Sequence, residues 1–177
     1  MFPTLQTPRF ALRQIVDTDK EKVFEGLSDP QVIQYYGVSY QSLQEVQRQL
    51  DWYDSLLMKQ TGIWWGICSL TNQQTLIGAC GFNDWKKEHK RTEMGYWLLP
   101  HYWHSGVMSE CIPVIIDYAF TQLQIHRIEA IVETENHRSC RLLEKLHFNF
   151  EGTHKECEIK NGQYIDLRYY ALLNPRN

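Results

Sequence analysis

One segment of the sequence combines the features that hold a phosphate. It runs Tyr96-Trp97-Leu98-Leu99-Pro100-His101-Tyr102-Trp103-His104-Ser105-Gly106-Val107-Met108-Ser109-Glu110. An apolar strand pattern stops at Pro100, a loop follows, and helical spacing begins around Gly106. Such a turn leaves several N–H groups unpaired at the positive end of a helix dipole. Phosphate oxygens fit there because many donors converge on them without needing a lysine. Gly106 lets the backbone approach a ligand with no Cβ in the way. The same pattern also describes an ordinary strand-to-helix turn, so by itself it names no ligand. Neither GxxxxGK(S/T) nor GxGxxG occurs, which removes a P-loop and a dinucleotide fold.

Other reactive residue types lack a reactive pattern. The seven histidines include no HxxxH or HxH pair, so no metal site is expected. The five cysteines, Cys68, Cys80, Cys111, Cys140 and Cys157, are odd in number, widely spaced and free of CxxC. That argues against a disulfide framework or a zinc site and for a reducing cytoplasm. Cys140 invites the role of nucleophile, but no Cys–His partnership is readable, and a buried structural thiol is the better assignment.

The 177 residues suffice for one domain spanning 1–177. Hydrophobic residues make up 43% and charged residues 22%, as in a folded soluble protein. Six Trp, ten Tyr and seven Phe can fill a large core. Lys plus Arg number 18 against 21 Asp plus Glu, a net charge of −3. Without a basic excess, neither general nucleic-acid binding nor attraction to an anionic membrane is expected. The start, Met1-Phe2-Pro3-Thr4-Leu5-Gln6, has no basic n-region or apolar h-region of a secretory signal. The charge-free stretch 61–83 is broken by polar residues 71–75 and reads as two strands and a turn, not a membrane span.

These residues need elements to position them. Residues 10–15 alternate weakly as a first strand, and Asp17 then caps a helix. Asp29-Pro30 and Gly37 punctuate a short second helical piece. Ser42 with Glu45 forms a capping-box pattern that opens a helix to about residue 59. Strands follow at 63–70, 76–83 and 92–99, separated by polar turns as in an antiparallel meander. A helix over 105–123 contains Pro113, which removes one backbone bond. A strand at 127–132, a helix at 139–146 and a hairpin of 148–158 with 163–173 around Asn161-Gly162 complete the chain. The order β-α-α-β-β-β-α-β-α-β-β predicts an α+β fold: about seven strands, mainly antiparallel, about four helices and one parallel crossover.

Three blocks, in order and correctly spaced, resemble the GNAT superfamily of acyl-CoA-dependent N-acyltransferases. They look closest to the RimJ/RimL-like branch that acetylates ribosomal-protein N-termini. The first is Gly95-Tyr96-Trp97-Leu98 followed by residues 100–110. The second comprises Asn136, Ser139, Leu142, Lys145-Leu146-His147-Phe148 and Glu151-Gly152. The third is Asn161-Gly162-Gln163-Tyr164-Ile165-Asp166. The phosphate-loop motif, (Gln/Arg)-x-x-Gly-x-(Gly/Ala), reads Trp103-His104-Ser105-Gly106-Val107-Met108 here, so only its middle glycine is kept. His147 replaces the usual Gly before Phe148, and Leu143 stands where some relatives carry a catalytic Tyr.

The resemblance implies an acetyl-CoA slot between the strands at 92–99 and 127–132, splayed apart at a bulge. Pantetheine would pair with the backbone of Tyr96, Trp97 and Leu98, and the pyrophosphate with amides of His104, Ser105, Gly106, Val107, Met108 and Ser109. Asn136 would hold the pantetheine arm from the other side, or simply start a helix. An acceptor amine is protonated near pH 7, with a pKa of about 10.4 for Lys and 7.7–8.0 for an α-amine, so a base must take its proton. The branch implies Glu158 as base and Ser139 as acid, with Glu93 the runner-up base and the Leu98 N–H as oxyanion donor. Tyr35, Tyr36, Trp52 and Tyr53 would line an acceptor groove or pack in the core, and walls with Glu45, Glu93 and Glu158 would suit a cationic amine. The expected function is acetyl transfer to a primary amine, a protein N-terminus, in the cytoplasm, from a chain that can form a homodimer as the branch often does. A small amine, polyamine or antibiotic as acceptor, or a non-catalytic acyl-CoA-binding module, are the alternatives.

Overall fold

The computed structural model describes residues 2–176. Strands β1 (Leu5–Gln6), β2 (Phe10–Gln14), β3 (Ile63–Ser69), β4 (Asn72–Lys86), β5 (Arg91–Leu98), β6 (Arg127–Glu133), β7 (Asn149–Lys160) and β8 (Gln163–Leu173) build one sheet. Its order is β1-β2-β3-β4-β5-β6-β8-β7. The helices are α1 (Lys20–Ser28), α2 (Pro30–Ile33), α3 (Gln47–Lys59), α4 (Val107–Thr121) and α5 (His137–Lys145). The architecture is the expected α+β, with β5–α4–β6 as the parallel crossover and every other neighbouring pair antiparallel.

Alternation along the strands feeds two cores. On one face, Trp65, Phe82, Met94, Ile128 and Tyr170 pack against Cys111, Ile112 and Ile115 of α4 and Leu143 of α5. On the other, Trp64, Ala79 and Trp97 pack against Val23 and Leu27 of α1 and Leu50 and Tyr53 of α3. β5 therefore sends Met94 and Leu98 to the α4 side and Trp97 to the α1 side. Among the described residues, no helix is long and apolar enough to cross a membrane.

Local chemistry moved several boundaries. Asp19, not Asp17, organises the entry to α1: its carboxylate accepts the Val16 N–H at 2.9 Å and a two-pronged contact from Arg13 at 2.7 Å. Ser42 and Glu45 do exchange bonds, with Glu45 N–H on Ser42 Oγ at 3.3 Å and Gln41 N–H on Glu45 Oε2 at 2.9 Å. They close a turn, and regular helix begins only at Gln47. α4 continues through Pro113, which sits on its exposed side. The Asn161-Gly162 hairpin is as expected, both residues left-handed at φ 51° and 77°. The bulge is not where it was expected. β4 and β5 keep one register from Asn83↔Glu93 to Gly78↔Leu98, and the irregularity lies earlier, between Asn83 and Lys86, where Asp84 has φ 49°.

Gly26 lets α1 lie flat on Trp97: a Cβ there would stand 2.3 Å from Cζ3 and 2.7 Å from Cε3 of the indole. Alanine in a helix interior ordinarily stabilises by about 0.5–1 kcal/mol over glycine. Overpacking a rigid ring costs about 1–3 kcal/mol and should win. Gly26→Ala is expected to lower the Tm, measured by scanning calorimetry, by roughly 2–4 °C per kcal/mol lost. A rise in Tm would show that α1 does not bear on Trp97.

Candidate active site

Hydrogen bonds join β5 to β6 only from Arg91↔Arg127 to Glu93↔Glu129. Beyond that, residues 94–98 and 130–132 face each other across a cleft of about 1290 Å³. Lys90 O accepts the N–H groups of His126 and Arg127 at 2.7 and 3.1 Å, while Leu99 N–H donates to Ile77 O at 3.0 Å. Even-numbered backbone groups of β5 thus turn to β6 and odd-numbered ones to β4. Past Glu93 the β6 partner is gone, so Tyr96 and Leu98 present their backbone N–H groups to the cleft. Trp97 borders the cleft, but its backbone faces Ala79 and its buried indole donates to Tyr53 Oη at 3.1 Å. Of the three residues expected to pair with a pantetheine arm, it is the one turned away.

At the wide end of the wedge the chain turns through Pro100–Tyr102 into α4. His104 (φ 62°) and Gly106 (φ 78°) are both left-handed. Gly106 is the N-cap and supplies no side-chain cap, so the first-turn N–H groups of Val107, Met108 and Ser109 have no helical partner. This is the cradle a pyrophosphate needs, and Gly106 opens it in a left-handed conformation (φ 78°) that a residue with a Cβ rarely adopts, although the Cβ itself would meet only Arg9 Nη2 at 3.4 Å. Met108, which departs from the family's small residue, points its side chain into the core at 8% exposure and leaves the cradle open. Ser105 differs from expectation: it is outside the cleft lining, its Oγ donating to Tyr102 O at 2.5 Å and its carbonyl accepting Arg9 Nη1 at 3.1 Å. Trp103, at the family's Gln/Arg position, donates its indole N–H to Leu98 O at 2.8 Å, and the Arg138 guanidinium lies 4.7 Å above its ring.

Arg138, Arg141 and Lys145 of α5 line the same cleft, and Lys145 Nζ is 3.4 Å from Ser109 Oγ. The loop 103–109 carries no Lys or Arg of its own, so these cations bring the positive charge that faces it. Their spacing of three and four residues puts them on one helix face, a signal present in the sequence and not used there. Asn136 caps α5, its Oδ1 accepting the Ser139 N–H at 3.2 Å, and it also lines the cleft, so both of its expected roles are open to it. Ser139 is buried, and its hydroxyl meets the Tyr96 hydroxyl across the wedge. Burial pushes the Tyr96 phenol up to about 12, against a partial lowering by Ser139.

The acceptor side is built on the α1–α3 face. Glu93 lines it beside Asn83, which hydrogen-bonds its carboxylate; burial raises the Glu93 pKa above the usual carboxylate range, and Asp84, Glu129 and Glu158 add to the rise. Glu129 is neutralised by Arg91 at 2.8 Å and Arg127 at 2.7 Å, and Glu133 by Lys160 at 2.5 Å. Among the described residues no Lys or Arg pairs with Glu93. Glu158 stands on the exposed face of β7 opposite Ile165 and is not part of the cleft lining. Tyr35, Tyr36 and Trp52 line the acceptor side, while Tyr53 is buried beneath Trp64. Glu45 is spent on the turn before α3. The Trp64 indole N–H, packed against Gly95, is buried with no partner. No cluster of potential metal ligands occurs among the described residues.

The sequence matches the acetyltransferase (GNAT) domain over residues 9–149. The uncharacterized N-acetyltransferase YoaA of Bacillus subtilis (strain 168) is 37% identical over 177 residues, 99% of each chain. The uncharacterized N-acetyltransferase p20 of Bacillus licheniformis is 33% identical over 171 residues, 96% of each chain. The crystal structure of a GNAT-family acetyltransferase from Bacillus anthracis superposes with a TM-score of 0.84, covering 98% of this chain and 99% of that one at 26% identity.

Acetyl-CoA is expected to raise the Tm by mass action, since it binds only the folded state. Gly106→Val should abolish that shift by straining the left-handed turn that opens the cradle. The double variant Arg141→Ala/Lys145→Ala should reduce the shift and flatten its dependence on salt. A full shift in Gly106→Val, read by differential scanning fluorimetry, would place the coenzyme elsewhere.

Proposed function

The chain belongs to the GNAT acetyltransferase family and is an acetyl-CoA-dependent N-acetyltransferase, and we propose that Glu93 is the base that frees the acceptor amine while the Leu98 N–H receives the oxyanion. The observation that carries this reading is Glu93 itself: a cleft carboxylate that no cation neutralises and that burial makes more basic. A raised pKa makes a carboxylate a stronger base toward an ammonium proton. Glu158, which the family resemblance brings forward, reaches the reaction only through its field, which helps to raise Glu93.

With the amine deprotonated, its nitrogen attacks the thioester carbonyl directly and no covalent enzyme intermediate is needed. The tetrahedral oxygen carries the developing charge, and the Leu98 N–H, unpaired toward β6, is oriented to receive it. Ser139, held by Asn136 at the first turn of α5, supplies the hydroxyl for the departing sulfur. The coenzyme lies between residues 94–98 and 130–132, with its phosphates on the amides of residues 107–109.

The acceptor that fits best is the α-amine of a protein N-terminus, in keeping with the RimJ/RimL-like resemblance. Glu129 and Glu133 are already paired, so among the described residues the cleft carboxylates left without an ion pair are Glu93 on the acceptor face and Glu135 just before α5. Deprotonating a lysine-like amine at pH 7 costs about 4.6 kcal/mol, an α-amine about 1 kcal/mol.

Glu93→Gln is expected to lower kcat/KM by about 10²–10⁴ near neutral pH, with part of the loss returning as the amine deprotonates at higher pH. Glu158→Gln should change it only a few-fold, and the reverse pattern would move the base to β7. Wild-type kcat/KM should rise with pH through the raised Glu93 pKa, a limb absent from Glu93→Gln. The same group gives the fold a pH-dependent contribution, present below the unfolded pKa of about 4.3 and lost as pH rises through the raised folded value. Glu93→Gln should therefore flatten that part of the stability profile. In a thiol-release assay, peptides with a free N-terminus should outperform spermidine and N-terminally blocked lysine peptides; preference for spermidine would reverse the acceptor assignment.

A further inference from the structure

The contact between the Tyr96 and Ser139 hydroxyls, one from each wall of the wedge, has a role in the reaction. We propose that Tyr96 is the proton source for the departing sulfur, acting through Ser139 as a two-step relay. The inference rests on the acetyl-transfer reading above, with Ser139 beside the leaving group, and does not depend on which carboxylate is the base.

The argument begins with what a serine can give up. An alkyl hydroxyl does not ionise in the pH range of proteins, so Ser139 alone could only donate a hydrogen bond to a thiolate. A phenol can ionise where an alkyl hydroxyl cannot, and with burial holding Tyr96 at about 12 against about 8.5 for a thiol, its proton moves only in concert with C–S cleavage, as charge builds on the sulfur. The hydroxyl of Tyr96 reaches Ser139 Oγ, and both residues line the cleft. Ser139 Oγ can accept from Tyr96 while its own proton goes to sulfur. The N–C bond forms, the C–S bond breaks, and the amine proton leaves to the base. The Ser139 proton caps the sulfur, and the Tyr96 proton replaces it on Oγ.

The surroundings hold the proton on Tyr96 at rest, and the helix end and Ser139 are what ease the charge that forms. Ser139 lies three residues after the N-cap Asn136, so a phenolate at Tyr96 faces the positive end of α5. The other titratable groups against Tyr96 are Cys140 of α5 and Tyr170 of β8; both repel a negative charge there, and with burial they keep the phenol protonated at rest. Arg168 lies beside Tyr170 and Cys140, and the Tyr170 hydroxyl donates to Glu144 Oε1 at 3.3 Å. The position occupied by a catalytic Tyr in some relatives is the fully buried Leu143, so a phenol from β5 takes the place of one from α5.

Tyr96→Phe keeps the ring and removes only the donor. Its kcat should fall about tenfold to a hundredfold, below the range of a full general acid because a thiolate departs partly unaided. The KM for both substrates and the coenzyme-induced Tm shift should change less than about twofold. The decisive measurement is the proton inventory of kcat in mixed H₂O and D₂O. Wild type should curve, with two protons in flight, and Tyr96→Phe should be linear. Tyr96→Phe/Ser139→Ala should be no slower than Ser139→Ala alone. Full activity in Tyr96→Phe, an unchanged curved inventory, or additive losses in the double variant would each overturn the relay. A failure of the Glu93 assignment would appear only in the acid limb of the pH profile, which Tyr96→Phe leaves intact.

Discussion

β5 and β6 stay hydrogen-bonded for three residue pairs and then diverge, leaving the peptide groups of Tyr96 and Leu98 without strand partners. Unpaired backbone groups that are shielded from water demand partners, and a ligand rich in amides can supply them. The wedge is therefore both the weakest part of the sheet and the part most prepared to bind. Its depth is set by side chains beneath it: Met94 and Leu98 anchor β5 in the α4 core, and Trp97 anchors it from the other face. Because β4 holds β5 in one continuous register to Leu98, the divergence needs no bulge in the wedge itself.

The phosphate end is held with comparable care by the N-terminal arm. Glu110, in the first turn of α4, accepts from Thr7 Oγ1 at 2.6 Å, Arg9 N at 3.0 Å and Arg9 Nε at 2.6 Å. These bonds outweigh its desolvation and keep its pKa below the usual carboxylate range. They fix the loop 103–106 against β1 and β2 before any ligand arrives, so less ordering has to accompany binding.

Charge is segregated across the wedge. Cations of α5 look toward the phosphate loop, while on the acceptor face Glu93 lines the cleft without a cation partner among the described residues, and Glu129 and Glu133 nearby are each paired with an Arg or Lys. Leaving one carboxylate half-buried without a cation is unfavourable for folding, and it raises the Glu93 pKa. Lys160, at the tip of the β7–β8 hairpin, adds a tie to this side by donating to Gln34 O at 2.5 Å as well as to Glu133. The hairpin and the loop after α2 thus close together over the acceptor entrance.

Much of this was legible in the residues themselves. Gly106 after Pro100 marks the cradle, Asn161-Gly162 marks the closing hairpin, and Asn136 with Ser139 marks the start of α5, because backbone conformation and capping are local properties. Period-2 patterns likewise carry most strand boundaries and the α+β class. What the sequence could not decide depends on contacts between distant segments. Only strand pairing turns Trp97 away from the cleft and Leu98 N–H into it, since a register shift of one residue would exchange them. Only packing half-buries Glu93 while leaving Glu158 on an edge strand in water, although as isolated strand glutamates the two look alike. The meeting of Tyr96 with Ser139, 43 residues apart, exists because two strands that begin parallel then part by the span of two side chains.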